Sequence, residues 1–252
     1  MRIEFKINKL ALIRMAFKFK YWKNLDNLLW RRFCNEPAYY LLNPLHLDWA
    51  LDEITTQTEL IGFQKNFSKI AETLEKIHKE IIKSKEFKKL LAETEKYKVF
   101  VKNQWKKNQK FVLDFIENEL GLKIPKHIIT VFVFHPHFSK GHASDKNYIL
   151  WGHKEDWKNY STIYIAHELL HILTNNRCKN KNLMHAIIEL ATDNEFRIRL
   201  NKKGKYFREG KFDVGHLELR KLEKKILPLW KKYLQNKNRK NIFNLEKELF
   251  KD

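Results

Sequence analysis

Cross-links and chain breakers are scarce in this sequence. Its 252 residues include two cysteines, Cys34 and Cys178, seven glycines and five prolines. Two thiols so far apart in sequence exclude a disulfide framework, and they are too few for a structural zinc site. Reduced thiols in a cytoplasmic protein are the expectation. So little Gly and Pro speaks against a many-turned β fold and for long helices. Uncharged apolar runs are missing as well. Arg14, Lys18 and Lys20 interrupt the apolar N-terminal stretch, so neither a transmembrane span nor a cleavable leader is expected. An amphipathic N-terminal arm touching a membrane or partner is the alternative use of that stretch.

Acidic residues are in deficit, 30 against 50 Lys and Arg, for a formal charge of +20. The excess lies on the flanks. Residues 1–125 carry 24 basic against 16 acidic side chains and residues 201–252 carry 16 against 7, whereas residues 126–200 carry 10 against 7. Solvated helix faces account for such flanks. A nucleic-acid partner is the competing explanation.

Aromatics are plentiful, with 18 Phe, 9 Tyr and 7 Trp. Residues 1–42 read as one or two helices, and turn signals gather from Asn43-Pro44 to Thr58. Ile70, Leu74, Ile77, Ile81 and Ile82, then Phe87, Leu90 and Leu91, recur at helical spacing. The run continues through Trp105, Phe111, Val112, Phe115 and Ile116 to Leu120, with Gly121 as its stop. Ile128–Phe134, between Pro125 and Pro136, is β-branched and aromatic and predicts a buried strand. Tyr148–Trp151 predicts a second, reached through a loop at Gly141–Asn147. Helices are expected again at Tyr160–Leu173, Leu183–Leu200 and Leu217–Leu227, with Pro228 as a kink or stop, and from Ile242 onward. The fold class is therefore α+β: mostly helical, with a small mixed sheet preceding the His-Glu helix and a helical C-terminal part. The expected division is a helical region of unknown role at 1–120 and a second domain at 121–252 that holds the small sheet and the later helices.

The chemistry is concentrated in His167-Glu168-Leu169-Leu170-His171. On a helix, residues four apart project from one face, so two imidazoles can take adjacent corners of a zinc tetrahedron. Glu168, beside the first His, can reach a water held by that zinc without ligating the ion, and then act as base and proton donor. A third ligand is required. Thr174 and Arg177 stand where a His-x-x-Gly-x-x-His continuation needs Gly and His, which excludes that pattern. Glu189 and Asp193, four apart amid apolar neighbours on the next predicted helix, supply the alternative. A carboxylate on such a face is costly unless it meets a cation or a donor. Glu189 would complete the ligand set, and Asp193 would accept the free ring N–H of a ligand His. Glu195 is the competing third ligand.

His167-Glu168-x-x-His171 followed by Glu189-x-x-x-Asp193 resembles the gluzincin clan of zinc metallopeptidases, which includes the thermolysin-like enzymes. The likeness covers residues 126–201. It implies peptide-bond hydrolysis, a zinc cofactor held by His167, His171 and Glu189, Glu168 as general base, and Asp193 behind a ligand His. It also implies a sheet edge that pairs with an extended peptide or protein substrate, for which Gly141–Ser144 stand in the right place. A Tyr or His from beyond the third-ligand helix polarises the scissile carbonyl in that clan, which points to His216 or Tyr206. The sequence departs from the pattern in two respects: 17 residues separate His171 from Glu189, and Ile188 replaces the usual Asn. His135, His137 and His142 cluster near the strand–loop region, as polar surface or a second metal site. The rival readings are a basic nucleic-acid-binding protein and an inactive zincin that serves as an interaction module.

Overall fold

The computed structural model describes residues 2–18, 79–144, 148–175, 177–236 and 241–249. The readings made above for residues 19–78, Cys34 included, lie outside them, as does the 145–147 part of the predicted loop. The chain divides into two units, one of Met1–Lys6 with Lys98–Asp252 and one of Ile7–Tyr97. The division expected at residue 120 thus lies inside the first unit. The molecule is mostly helical α+β, with a four-stranded mixed sheet and a separate two-stranded one. Among the described residues no helix is long and apolar enough to cross a membrane.

The N-terminus begins with strand β1 (Arg2–Lys6), not a helix. Helix α1 (Lys9–Lys18) follows, opened by Asn8, whose Oδ1 accepts from the Ala11 N–H at 3.2 Å. Within the second unit α1 buries Ala11, Leu12, Ile13, Met15 and Ala16. Ser84 caps helix α2 (Lys85–Asp114), its Oγ accepting from Phe87 N–H at 3.1 Å. Ile81, Phe87 and Leu90 are buried, as their spacing predicts.

In the first unit the later part of α2 buries Val101, Trp105 and Val112 and runs into a π-helical turn at Phe115–Glu119. Gly121, at φ +63°, ends it. The backbone of Asn241 lies 2.8 Å from where a Cβ on Gly121 would sit, so the stop needs glycine for both reasons. Strand β2 (Ile128–Val133) pairs in parallel with β1 on one side and with β4 (Tyr148–Gly152) on the other. Strand β3 (Lys140–Ser144) pairs antiparallel with β4 and forms an edge, giving the order β1-β2-β4-β3. The loop expected at Gly141 is therefore a strand up to Ser144. Every residue of β4 is buried, so the sheet's centre is its most apolar strand.

Helix α3 (Tyr160–Thr174) packs on β3 and β4. Asn159 precedes it at φ +63° and makes no side-chain cap, so other groups take its first amides. Glu155 accepts from Ser161 N–H at 3.0 Å, and Gln104 accepts from Thr162 N–H at 2.8 Å. Trp151 of β4 stacks on Tyr164 and donates to Ser161 Oγ at 2.9 Å, which fixes the helix to the sheet. Asn180 then caps α4 (Lys181–Glu189) through Leu183 N–H at 3.0 Å. The loop before it is pinned by buried Glu246, which accepts from the Lys179 and Asn180 amides at 2.8 and 2.9 Å. Glu246 lies on the last described helix, α7 (Ile242–Leu249).

Helix α4 does not end at Glu189. It continues as a π-helical segment, Leu190–Phe196, and closes with α5 (Arg197–Asn201). Arg197, fully buried, braces this segment by donating to Asp193 O and Lys205 O at 2.6 Å each and pairing with Glu209. Strands β5 (Arg208–Glu209) and β6 (Phe212–Asp213) form a short hairpin, and α6 (Arg220–Gln235) follows. Pro228, expected to kink or stop that helix, lies within it. The ring removes one helical bond, but Pro228 is exposed, and Ile226, Trp230 and Tyr233, buried on the other side, hold the helix across it.

Candidate metal centre

His167 and His171 project from one face of α3 with their Nε2 atoms 3.0 Å apart. A tetrahedral ion with nitrogen ligands at about 2.05 Å holds neighbouring nitrogens about 3.3 Å apart, so the pair already stands near two corners of such a site. Two imidazole nitrogens this close share either a proton or a cation, because facing lone pairs repel. Buried His167 turns its other nitrogen to Asp193 Oδ1, 3.0 Å away. That contact fixes Nδ1–H as the donor to the carboxylate, so that Nε2 is the nitrogen that gives up its proton to an ion. Thr192 Oγ1, 3.0 Å from the same carboxylate oxygen and 2.8 Å from Ile188 O, holds Asp193 in register.

Glu189 is fully buried. Its two oxygens accept from the His216 backbone N–H at 3.0 and 2.9 Å, and Oε1 also meets His216 Nδ1. Gly215 makes this approach possible: a Cβ there, at φ +78°, would lie 2.3 Å from Glu189 Oε2. Glu189 and the histidine pair are linked through a residue that the sequence reading passed over, His185. Among the described residues, two groups of side chains have ligand atoms mutually within 4.8 Å, His167–His171–His185 and His185–Glu189–His216. The signal was present, since His185 stands four residues before Glu189, the spacing that joins His167 to His171.

Two buried polar atoms here have no hydrogen-bond partner, His185 Nε2 and Asp193 Oδ2. Imidazole nitrogens and a buried carboxylate around such orphaned atoms fit a divalent transition ion. The electrostatics agree. Burial opposes a charge on His167, but Asp193 overrides it and lifts the ring to about 9. Burial and neighbouring His167 push His171 down to about 2, and the same causes push His185 down to about 4, which keeps both rings neutral. Burial raises Glu168 above the usual carboxylate range. The hydrogen bond to Glu189 raises His216. Burial and then the Glu189 charge lift Glu223, on α6, to about 8, so the pocket around Glu189 already strains to hold a second negative charge.

The histidines open on a cleft of about 340 Å³. The edge strand β3 lines it from Gly141 to Ser144, and so does Glu168, whose Oε1 lies 3.4 Å from where a Cβ on Gly141 would sit. His216 and Lys181 also line it. The structure thus brings His167, Glu168, His171 and His216 to one cleft, with Asp193 behind His167 and Glu189 behind His216; among the described residues the expected set His167, His171 and Glu189 does not itself form a metal-capable group. Other sequence candidates sit elsewhere. Glu195 pairs with Arg199 at 2.5 Å and accepts from Tyr206 OH at 2.5 Å, and Tyr206 also accepts from Trp230 Nε1 at 3.1 Å. That network leaves neither Glu195 nor Tyr206 at the His pair. His135 is buried and accepts from the His137 N–H at 3.3 Å, while exposed His142 lines the cleft. Among the described residues these three form no metal-binding group. Comparison of the chain with protein-family models, curated proteins and solved structures finds no match.

Proposed function

We propose that the chain is a metal-dependent peptidase of gluzincin type, with zinc on His167, His171 and Glu189. The observation that carries this reading is the pair of Nε2 atoms 3.0 Å apart, one ring backed by Asp193, in a cleft that also holds Glu168. Imidazole and carboxylate donors suit zinc. A bound ion would supply Lewis acidity toward a carbonyl oxygen and would acidify a water molecule.

The remaining work falls to the chain's own side chains. Glu168 accepts the proton of the attacking water and later passes it to the leaving amine nitrogen, and its raised pKa brings it nearer to neutrality for both transfers. Strand β3 is an edge, so its outer backbone groups can pair with an extended substrate and place the scissile bond beside Glu168. Asp193 holds the His167 ring and its tautomer. His216, half exposed in the cleft with Nδ1 on Glu189, is the group from beyond the third-ligand helix that faces the carbonyl oxygen through Nε2.

The test is Glu168→Gln, assayed on a mixed peptide library with metal content measured in parallel. The variant is expected to keep its metal and lose cleavage by a factor of 100 or more, roughly the contribution of a general base. Cleavage at the unmodified rate would remove Glu168 from the mechanism.

A further inference from the structure

We infer that His185 is a ligand of the same ion, so that the protein presents three imidazoles and one carboxylate where the expected pattern has two and one. The inference rests on the metal reading above and concerns what completes the site. His185 and Glu189 are one turn apart on α4 and share a helical face, on which His185 groups with the His pair of α3 and Glu189 groups with His185 and His216. The His185 ring lies edge-on to His171 with centroids 4.6 Å apart, and 5.4 Å from the His167 ring. Its ligand atoms fall within 4.8 Å of those of His167 and His171, and it is the one residue shared by both metal-capable groups found among the described residues.

A histidine retained for packing satisfies its ring nitrogens with hydrogen bonds when they are buried. His185 Nε2 does not: it is buried, has no hydrogen-bond partner, and lies 3.5 Å from Glu189 Oε1. That separation suits two neighbouring ligands of one ion, whose donor atoms sit a little over 3 Å apart. His216 is placed differently. Its Nδ1 and its backbone N–H are both committed to Glu189, so it clamps the carboxylate and keeps only Nε2 uncommitted.

Four protein ligands fill a tetrahedron, and a water molecule then needs a fifth position. The site is accordingly built to hold its ion more tightly than a three-ligand site. Two measurements test this. Zinc K-edge absorption on the loaded, unsubstituted protein counts the imidazoles directly, with three expected; two would overturn the inference whatever any variant does. Zinc affinity, measured by competition with a chromophoric chelator, is expected to fall by roughly 10–100-fold or more in both His185→Ala and His185→Gln. Unchanged affinity in variants that keep the far-ultraviolet dichroism of the parent would also overturn it. Failure of the underlying reading looks different: the unsubstituted protein itself would then take up no zinc.

Discussion

Gly215→Ala isolates the placement of Glu189. The new Cβ would stand 2.3 Å from Glu189 Oε2 and 3.1 Å from Glu189 Cδ. Carbon and oxygen do not approach much within 3 Å, so the carboxylate must retreat by about 0.7 Å. Metal–ligand distances tolerate about 0.2 Å, so a retreat of this size takes the oxygen out of coordination range. The expected loss is on the order of 10–100-fold in zinc affinity, or about 1.4–2.8 kcal/mol. The left-handed backbone adds a separate penalty of about 1–2 kcal/mol to folding, because φ is +78°. Gly210→Ala supplies the control, since Gly210 has φ +59° and nothing within 4 Å of its would-be Cβ. Both variants should melt lower, by about 2–8 °C, and only Gly215→Ala should lose zinc affinity. Chelator competition and thermal melts on the two proteins check this. Equal zinc affinities in the two would refute the claim that Gly215 sets the position of a ligand carboxylate.

Other expectations follow from the same geometry. His167 is lifted to about 9 while His171 and His185 are pushed to about 2 and 4, so at pH 7 only the first of the three ligand rings carries a proton that an ion must displace. Apparent zinc affinity should therefore rise about tenfold per pH unit from 6 to 8 and level off above about 9, with a proton released on loading; calorimetry in buffers of different ionisation enthalpy reads that proton, and its absence would contradict the assignment. Asp193→Asn keeps an acceptor for His167 Nδ1–H but removes the charge, and zinc affinity should drop by roughly tenfold or more in the same competition assay. Glu246→Ala leaves the Lys179 and Asn180 amides without their acceptor and should cost about 2 kcal/mol in denaturant unfolding, with the loop before α4 the first to lose hydrogen-exchange protection. A variant as stable as its parent would show that solvent replaces Glu246.

Much of this architecture is legible in the sequence, and the parts that are not have specific causes. β4 announces itself because a central strand buried on both faces is a continuous apolar run, and β2 because its β-branched and aromatic residues lie between two prolines, although only alternate residues of β2 are fully buried. The α3 helix is bounded within a residue or two because nothing in Tyr160–Thr174 breaks it. β3 is hidden: Lys-Gly-His-Ala-Ser has poor strand propensity, and only pairing with β4 makes it extended. β1 was readable, since Arg2-Ile3-Glu4-Phe5-Lys6 alternates with period two, but the helical texture that follows obscured it. At the site, the contact between Asp193 and His167 follows the expectation drawn from the Glu-x-x-x-Asp spacing. The π-helical segment at Leu190–Phe196 leaves no such trace in the sequence, because its i→i+5 bonds depend on the bracing by Arg197 and by Asn194, which donates to Glu189 O at 3.0 Å. His185 escaped because one imidazole on an apolar face looks like core until its neighbours are in place.

Metal content tests the central claim most directly. The unsubstituted protein, loaded with excess zinc and exhaustively desalted, is expected to retain one ion per chain by elemental analysis, and the His167→Ala/His171→Ala double variant, still folded, none. Equal retention in the two proteins, or none in either, would contradict a metal centre built on this pair.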